Sequence, residues 1–169
     1  MTTNDILKRI RYAVKMNDET MLGMIEKGGV PVSRRELDSW FLNEEDEGYA
    51  ECDKVVLSAL LDGMIVSYRG VREELSTISS DNVVSGKMAF AGQDVEILDN
   101  NLILKKIRIA LELKEEDLIA IMQLSNVNLS KNELTALFRK KGHKNYRECM
   151  DQFLRNFLAG LAKYRRSGT

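Results

Sequence analysis

Residues that commonly carry out catalysis are few in this chain, which has one histidine and two cysteines. His143 lies six residues before Cys149, with Asp151 close behind, so a Cys/His pair with a carboxylate is a candidate for nucleophilic catalysis. In the matching stretch of the first half, Cys52 has no such histidine, because Asp46 stands where His143 does. Free cysteine usually behaves as a small buried apolar residue, so we interpret both cysteines as core thiols.

Motifs of the common catalytic classes are absent from the sequence. It contains no nucleophile elbow, no phosphate-binding glycine loop and no pair of cysteines at zinc spacing. We therefore predict a protein without enzymatic activity, cofactor or metal. The sequence has no run of about 18 or more apolar residues and starts with polar and charged residues, so we expect neither a membrane span nor secretion. We place the protein in the cytosol, where its cysteines should stay reduced.

A basic cluster in the C-terminal half is a candidate binding surface. Its residues are Arg139, Lys140, Lys141, His143, Lys144, Asn145, Tyr146 and Arg147, with Lys163, Arg165 and Arg166 near the end of the chain. Basic side chains can contact phosphates while a tyrosine stacks on a base, so RNA or DNA binding is one interpretation. The equivalent Tyr49 lies among acidic residues, which instead favours a packing role for both tyrosines. No recognised nucleic-acid-binding motif is present.

These residues belong to the second copy of an internal repeat. At an offset of about 97 residues, 4–72 aligns with 101–169 without a gap and with about 20 identities, where chance gives about four. The segment Tyr49-Ala50-Glu51-Cys52, for example, returns as Tyr146-Arg147-Glu148-Cys149. The chain is therefore one module written twice.

The duplication divides the chain into a first repeat (1–72), an acidic polar linker (73–100) and a second repeat (101–169). Short apolar pieces in the linker leave open a short hairpin or docking on the surface. A module of about 69 residues has a small core of its own. We therefore expect the two repeats to pack together, about an approximate two-fold axis.

Each repeat is predicted to form four helices, so the predicted fold is all-α, with two tandem four-helix modules. Apolar residues recur at helical spacing in the first and fourth helices of both repeats. Asn17 or Asp18 can cap the second helix, which should end at the two glycines after Lys27. A capping box, Ser33-x-x-Glu36, begins the third helix and returns as Ser130-x-x-Glu133.

Two glycines inside the fourth helices indicate a close approach between helices. Gly63 and Gly160 occupy matching positions, although glycine within a helix costs about 1 kcal/mol relative to alanine. A second helix passing close by would explain both residues. A tolerated exposed glycine is the alternative, and it explains one copy better than two.

A polar stripe on the first helix of each repeat is a second candidate surface. Asn4, Lys8 and Arg11 lie at i, i+4 and i+7. The second repeat has the same stripe at Asn101, Lys105 and Arg108. The alternative is structural: each arginine would pair within its module with a shared glutamate, Glu51 or Glu148, since a partly buried arginine usually has such a partner.

The loop before each fourth helix carries opposite charge in the two repeats. Residues 43–48 read Asn-Glu-Glu-Asp-Glu-Gly, whereas residues 140–145 read Lys-Lys-Gly-His-Lys-Asn. If these loops lie near the two-fold axis they would attract each other, and if they lie far from it they leave an acidic and a basic end for self-association. Two separately solvated loops are the alternative, because surface ion pairs contribute only about 0–1 kcal/mol each.

Several segments resemble a known bacterial group. These are Asn4–Leu7 with Arg11 and Tyr12, His143–Cys149, Asp151–Leu154 and Phe157–Leu161. They are similar to the YehS-like family of small cytoplasmic proteins, built from a twice-repeated domain of unknown function. The resemblance implies a duplicated helical fold and no activity. We therefore predict a non-catalytic interaction module that binds an unknown protein partner or itself, with nucleic-acid binding as the alternative and a Cys/His enzyme as a third reading.

Overall fold

The computed structural model describes residues 1–70 and 97–168, and all regular structure in these ranges is α-helical. The first repeat contains α1 (Thr3–Val14), α2 (Asp18–Lys27), α3 (Arg34–Phe41) and α4 (Lys54–Arg69). The second contains α5 (Asn100–Ala110), α6 (Glu115–Gln123), α7 (Lys131–Leu137) and α8 (Asp151–Ser167). The predicted all-α fold with two four-helix modules is confirmed. Most of the predicted linker, with its docking or hairpin, lies outside the described residues.

The ends of the first two helices follow local capping chemistry. Thr2 caps α1 in a capping box with Asp5, and the helix begins at Thr3. The Asn17 side chain accepts the Thr20 N–H and starts α2. This helix ends at Lys27, and Gly29 after it has a φ of 95°, as the glycine pair predicts.

Both predicted capping boxes at the third helices form. The Ser33 hydroxyl accepts the Glu36 N–H while the Glu36 carboxylate accepts the Ser33 N–H at 2.8 Å. Ser130 and Glu133 repeat this arrangement at the start of α7. Two orphan N–H groups are satisfied at the first turn of each helix, so the short α3 and α7 have defined starts.

The two repeats pack through reciprocal contacts. Helix α4 of the first repeat lies against α5 of the second, and α8 of the second lies against α1 of the first. Exchanging the repeats converts one contact into the other, which is the pattern of an approximate two-fold axis. Buried residues of both repeats form one continuous apolar cluster, from Leu7 and Leu57 to Leu104 and Leu158.

The matched glycines lie where two helix backbones touch. A Cβ added at Gly63 would be 1.7 Å from the Met24 carbonyl oxygen, and one added at Gly160 would be 2.0 Å from that of Ile121. Any side chain at these positions would overlap the backbone of α2 or α6. The predicted close approach is therefore confirmed in both repeats.

Polar contacts across the repeats are less symmetric than the apolar core. The Lys106 ammonium on α5 reaches α4, where it donates to Asp62 at 2.7 Å and Ser58 at 3.0 Å. At the ends of the fourth helices, Arg69 pairs with Glu112 at 3.5 Å, whereas Arg166 lies 4.0 Å from the centre of the Tyr12 ring. The shared scaffold thus carries different side-chain chemistry on its two sides.

Candidate binding groove of the second repeat

Buried asparagines anchor the loop before the fourth helix in both repeats. The Asn101 amide donates to the carbonyl oxygens of Leu137 at 2.8 Å and Arg147 at 2.9 Å, and its oxygen accepts the Cys149 N–H at 2.8 Å. Asn4 makes the same three bonds in the first repeat. Both side chains are buried, so the interpretation of these two asparagines as an exposed binding stripe is corrected to an internal anchor.

The two arginines of the predicted stripes stack on aromatic rings. Arg11 lies 4.6 Å from the centre of Phe41 and forms an ion pair with Asp18 at 2.5 Å. Arg108 lies 4.6 Å from the centre of Phe138, and its Nε donates to the Leu113 carbonyl at 3.2 Å. The expected pairings of these arginines with Glu51 and Glu148 are wrong, because both glutamates are exposed and the arginines are engaged elsewhere. These cation–π contacts make the arginines part of the scaffold.

The third member of each stripe distinguishes the repeats. Lys8 is half-buried, and its ammonium donates to the Leu42 carbonyl oxygen at 3.0 Å. Lys105, its equivalent, is exposed and has no hydrogen bond or ion pair with the residues that the structure describes. The first repeat therefore uses this lysine to tie down its own loop, whereas the second repeat leaves it available.

A groove of about 470 Å³ lies beside Lys105, between α5 and the end of α7. We call it the basic groove, defined by Lys105, Arg139, Lys140, Lys141 and Tyr146. Its apolar wall includes Ile97, which is 79% exposed, together with Leu102 and Phe138. Asp99 is the acidic residue of the lining. The groove thus joins four cationic groups to an apolar wall, which suits an anionic segment with some apolar character.

Arg139 differs from the lysines of the basic groove in being partly buried. Its Nε is buried and has no hydrogen-bond partner among the described residues, while its Nη1 lies 3.4 Å from His143 Nδ1. The Asn145 N–H also donates to His143 Nδ1, at 3.1 Å, so the histidine ring is held inside its own loop. A buried guanidinium N–H without a partner is costly unless a ligand or water completes it.

The rest of the predicted basic cluster divides into exposed and engaged residues. Lys140, Lys141, Lys144 and Asn145 are exposed, and none of the three lysines forms an ion pair with a described residue. Arg147 is engaged by Glu133 at 2.8 Å. Lys163 donates to the Leu124 carbonyl at 2.9 Å and lies outside the groove lining.

Tyr146 is half-buried, and its N–H donates to the His143 carbonyl oxygen at 2.8 Å. Tyr49 makes the equivalent bond to Asp46 at 3.1 Å. Desolvation raises the pKa of the Tyr146 hydroxyl, with Asp99 and Glu148 adding to the effect. The two tyrosines thus have matching backbone contacts in loops of opposite charge, which supports a packing role.

The two cysteines lie just before α4 and α8, one residue ahead of each N-cap, and are buried. Burial raises the pKa of both thiols to about 12, so they are protonated near neutral pH. His143 is held by Asn145 and Arg139, and no hydrogen bond joins it to Cys149 in the described part of the chain. Among residues 1–70 and 97–168, no group of histidines, cysteines and carboxylates is arranged to hold a metal.

Sequence reasoning placed Arg139 in the basic cluster but missed Asp99 as a member of the groove lining. Arg139 aligns with Leu42 of the first repeat, so a charged residue stands against an apolar one at equivalent positions. Asp99 lay inside the segment assigned to the linker, for which only a short hairpin or docking on the surface was considered.

Comparison with known proteins places both repeats in one family. A family model described as "Protein of unknown function (DUF1456)" matches residues 3–70 and again residues 100–167. The uncharacterized protein YehS of Escherichia coli (strain K12) is 36% identical over 162 residues, which cover 96% of this chain and 95% of that protein. No solved structure matches the chain. In the described ranges, no helix has the length and apolar character to cross a bilayer.

Proposed function

Because the chain belongs to the DUF1456 family, whose description carries no activity, we propose a function from the groove itself. The protein is a non-catalytic binding module that takes an acidic protein segment into the basic groove of its second repeat. The observation that carries this proposal is the set of cations around the groove. Lys105, Lys140 and Lys141 have no ionic partner among the described residues, and Arg139 has an unsatisfied buried N–H.

The shape of the groove supports a protein segment over a base. Aspartate and glutamate carboxylates match the arginine fork and the lysine ammonium groups, while neighbouring apolar side chains would cover Ile97 and Phe138. Binding of single-stranded nucleic acid commonly relies on aromatic side chains that are open to stacking. Tyr146 is half-buried in the same backbone arrangement as Tyr49 of the acidic loop, so it supports stacking poorly.

Nucleic-acid binding stays the second candidate, because the lysines around the groove are exposed and would contact phosphates equally well. The two candidates differ in their dependence on sequence and salt. Phosphate contacts release condensed counterions, so nucleic-acid affinity would fall steeply and linearly on a logarithmic salt scale. An acidic peptide has no such counterion atmosphere, and its affinity would depend more on the apolar residues beside its carboxylates.

The test is fluorescence anisotropy with a labelled acidic peptide containing leucine and with labelled single- and double-stranded oligonucleotides. The informative variant is Lys140→Glu/Lys141→Glu/Lys144→Glu. Its matched control is Lys15→Glu/Arg35→Glu/Lys54→Glu, which makes the same change in net charge at exposed residues of the first repeat. We expect micromolar peptide binding that the first variant loses and the control keeps. Peptide binding that both variants lose equally would show a general charge effect and contradict the proposal.

The absence of catalysis is tested on the thiols. A catalytic cysteine needs a thiolate near neutral pH, whereas both thiols here have a pKa of about 12. We expect native protein to resist iodoacetamide at pH 7 and to be alkylated at both cysteines after unfolding. Rapid native labelling of Cys149 alone would contradict the non-catalytic assignment and restore the Cys/His reading.

A further inference from the structure

The loops before the two fourth helices share a backbone form but not a charge. In the acidic loop (residues 43–48) the Asp46 N–H donates to the Asn43 carbonyl at 3.0 Å, and in the basic loop (residues 140–145) the His143 N–H donates to the Lys140 carbonyl at 3.0 Å. Close to these bonds, the Ala50 N–H donates to the Ser39 carbonyl in α3, and the Arg147 N–H donates to the Ala136 carbonyl in α7. The two loops are therefore equivalent surfaces of one scaffold.

Few of the loop charges are used inside the molecule. Asp46 accepts bonds from the backbone and side chain of Asn43, but Glu44, Glu45 and Glu47 are exposed and form no ion pair within the described residues. The same holds for the three lysines of the basic loop. No ion pair or hydrogen bond between described residues joins one loop to the other.

The packing of the repeats places the acidic loop and the basic loop on different halves of the molecule. The repeats meet through α4 with α5 and through α1 with α8, and an approximate two-fold axis relates the loops as equivalent positions on different halves. Each molecule therefore presents one acidic loop and one basic groove.

We propose that the segment taken by the basic groove is the acidic loop of a second copy of this chain. This inference rests on the proposed function, since it names the partner of the same groove. Charge complementarity between the loop and the groove carries it: three glutamates and one aspartate meet three lysines and Arg139. The contact is heterologous, so every added copy leaves one loop and one groove for the next copy.

Such an assembly should be weak, should grow with protein concentration and should be sensitive to salt. Exposed ion pairs contribute little individually, and salt screens them over a distance of about 10 Å at 0.1 M. We therefore expect a series of dimers, trimers and longer species that grows with concentration, and at least about a tenfold weakening of association between low salt and about 0.5 M NaCl.

The experiment is sedimentation velocity over a wide concentration range at low salt, with four proteins. These are the wild type, the acidic-loop variant Glu44→Lys/Glu45→Lys/Glu47→Lys, the basic-loop variant Lys140→Glu/Lys141→Glu/Lys144→Glu, and the full exchange that combines all six substitutions. Circular dichroism melting confirms that each variant is folded. The full exchange keeps the wild-type net charge, which separates loop pairing from general repulsion.

We expect the wild type to associate and each single-loop variant to stay monomeric alone. An equimolar mixture of the two single-loop variants should assemble, because one supplies only basic loops and the other only acidic ones. The full exchange should recover part of the association. A wild type that stays monomeric at every concentration, or association that survives either reversal, would overturn the inference. If the acidic peptide still binds the groove in that case, the proposed function stands without self-association.

Discussion

The two repeats have the same scaffold and differ at one groove. In the first repeat, the Lys8 ammonium donates to the Leu42 carbonyl oxygen, which ties this lysine to the loop. In the second, Lys105 is exposed and Arg139 replaces Leu42, so the groove beside α5 is cationic. The asparagine anchor, the capping box and the helix-contact glycine occur in both repeats. The comparison teaches that duplicated features hold the fold, and that binding is to be sought where the copies differ.

The largest effect should come from the helix-contact glycines. Gly63→Ala and Gly160→Ala each place a Cβ about 2 Å or less from a carbonyl oxygen of a neighbouring helix. Overpacking against backbone cannot be relieved by a side-chain rotation, so we expect a loss of about 3 kcal/mol in the free energy of unfolding for each. Urea unfolding measures it.

Gly23→Ala is the control, because nothing lies within 4 Å of a Cβ there and α2 should gain up to about 1 kcal/mol. Similar losses at Gly63 and Gly160 would confirm that the repeats are equivalent in their packing. A loss confined to one of them would break the comparison.

The asparagine anchors should give the next effect. Asn4→Ala and Asn101→Ala each leave one buried N–H and two carbonyl oxygens without their partner. Unsatisfied buried groups cost about 1–3 kcal/mol, so we expect about 2 kcal/mol for each substitution by urea unfolding. Asn132→Ala, on the exposed face of α7, should change the stability little. If Asn4→Ala were harmless, the anchor would be needed in the second repeat alone.

The stripe lysines should separate stability from binding. Lys8→Ala removes the hydrogen bond to Leu42 and should lower the free energy of unfolding by about 1 kcal/mol. It should not weaken binding of the acidic peptide. Lys105→Ala should leave stability unchanged and weaken peptide binding several-fold, since this lysine has no partner among the described residues and lines the groove. The opposite assignment of effects would show that the peptide binds beside Lys8 in the first repeat.

The smallest effect concerns acid. Hydrogen bonds from the Ser130 backbone and hydroxyl, with Arg147, lower the pKa of Glu133 from 4.5 to about 2. Hydrogen bonds from Ser33 also lower the pKa of Glu36, but no arginine contributes there. A carboxylate whose pKa is lower in the folded than in the unfolded state stabilises the protein at pH values above the unfolded-state pKa. For Glu133 this contribution is lost as the pH falls from about 4.5 towards 2.

Glu133→Gln should therefore reduce this acid-dependent loss of stability more than Glu36→Gln does. Melting temperatures between pH 2 and pH 6 measure the difference. Identical pH profiles for the two variants would show that Arg147 adds nothing to the second repeat.

Much of the scaffold follows from the sequence because its signals are local and appear twice. Ser33, Ser130 and the matched glycines each act within one turn of a helix or at one contact, so their types predict their geometry. The direction in which the Asn4 and Arg11 side chains point was harder to predict. Both lie beside the apolar stripe of α1, and only the path of the loop decides that Asn4 turns inward while Arg11 meets Phe41 and Asp18. The groove depends on this same tertiary arrangement, so its residues were only partly predictable.

The reciprocal packing of α4 with α5 and of α1 with α8 has a consequence for how the halves can change. In a dimer of two separate identical chains, any substitution appears on both sides of the axis, so an acidic loop on one side requires an acidic loop on the other. Here the halves are covalently joined, and each is encoded once. The chain can therefore keep the packing of a symmetric pair and still have a polarity, with a negative end and a positive one.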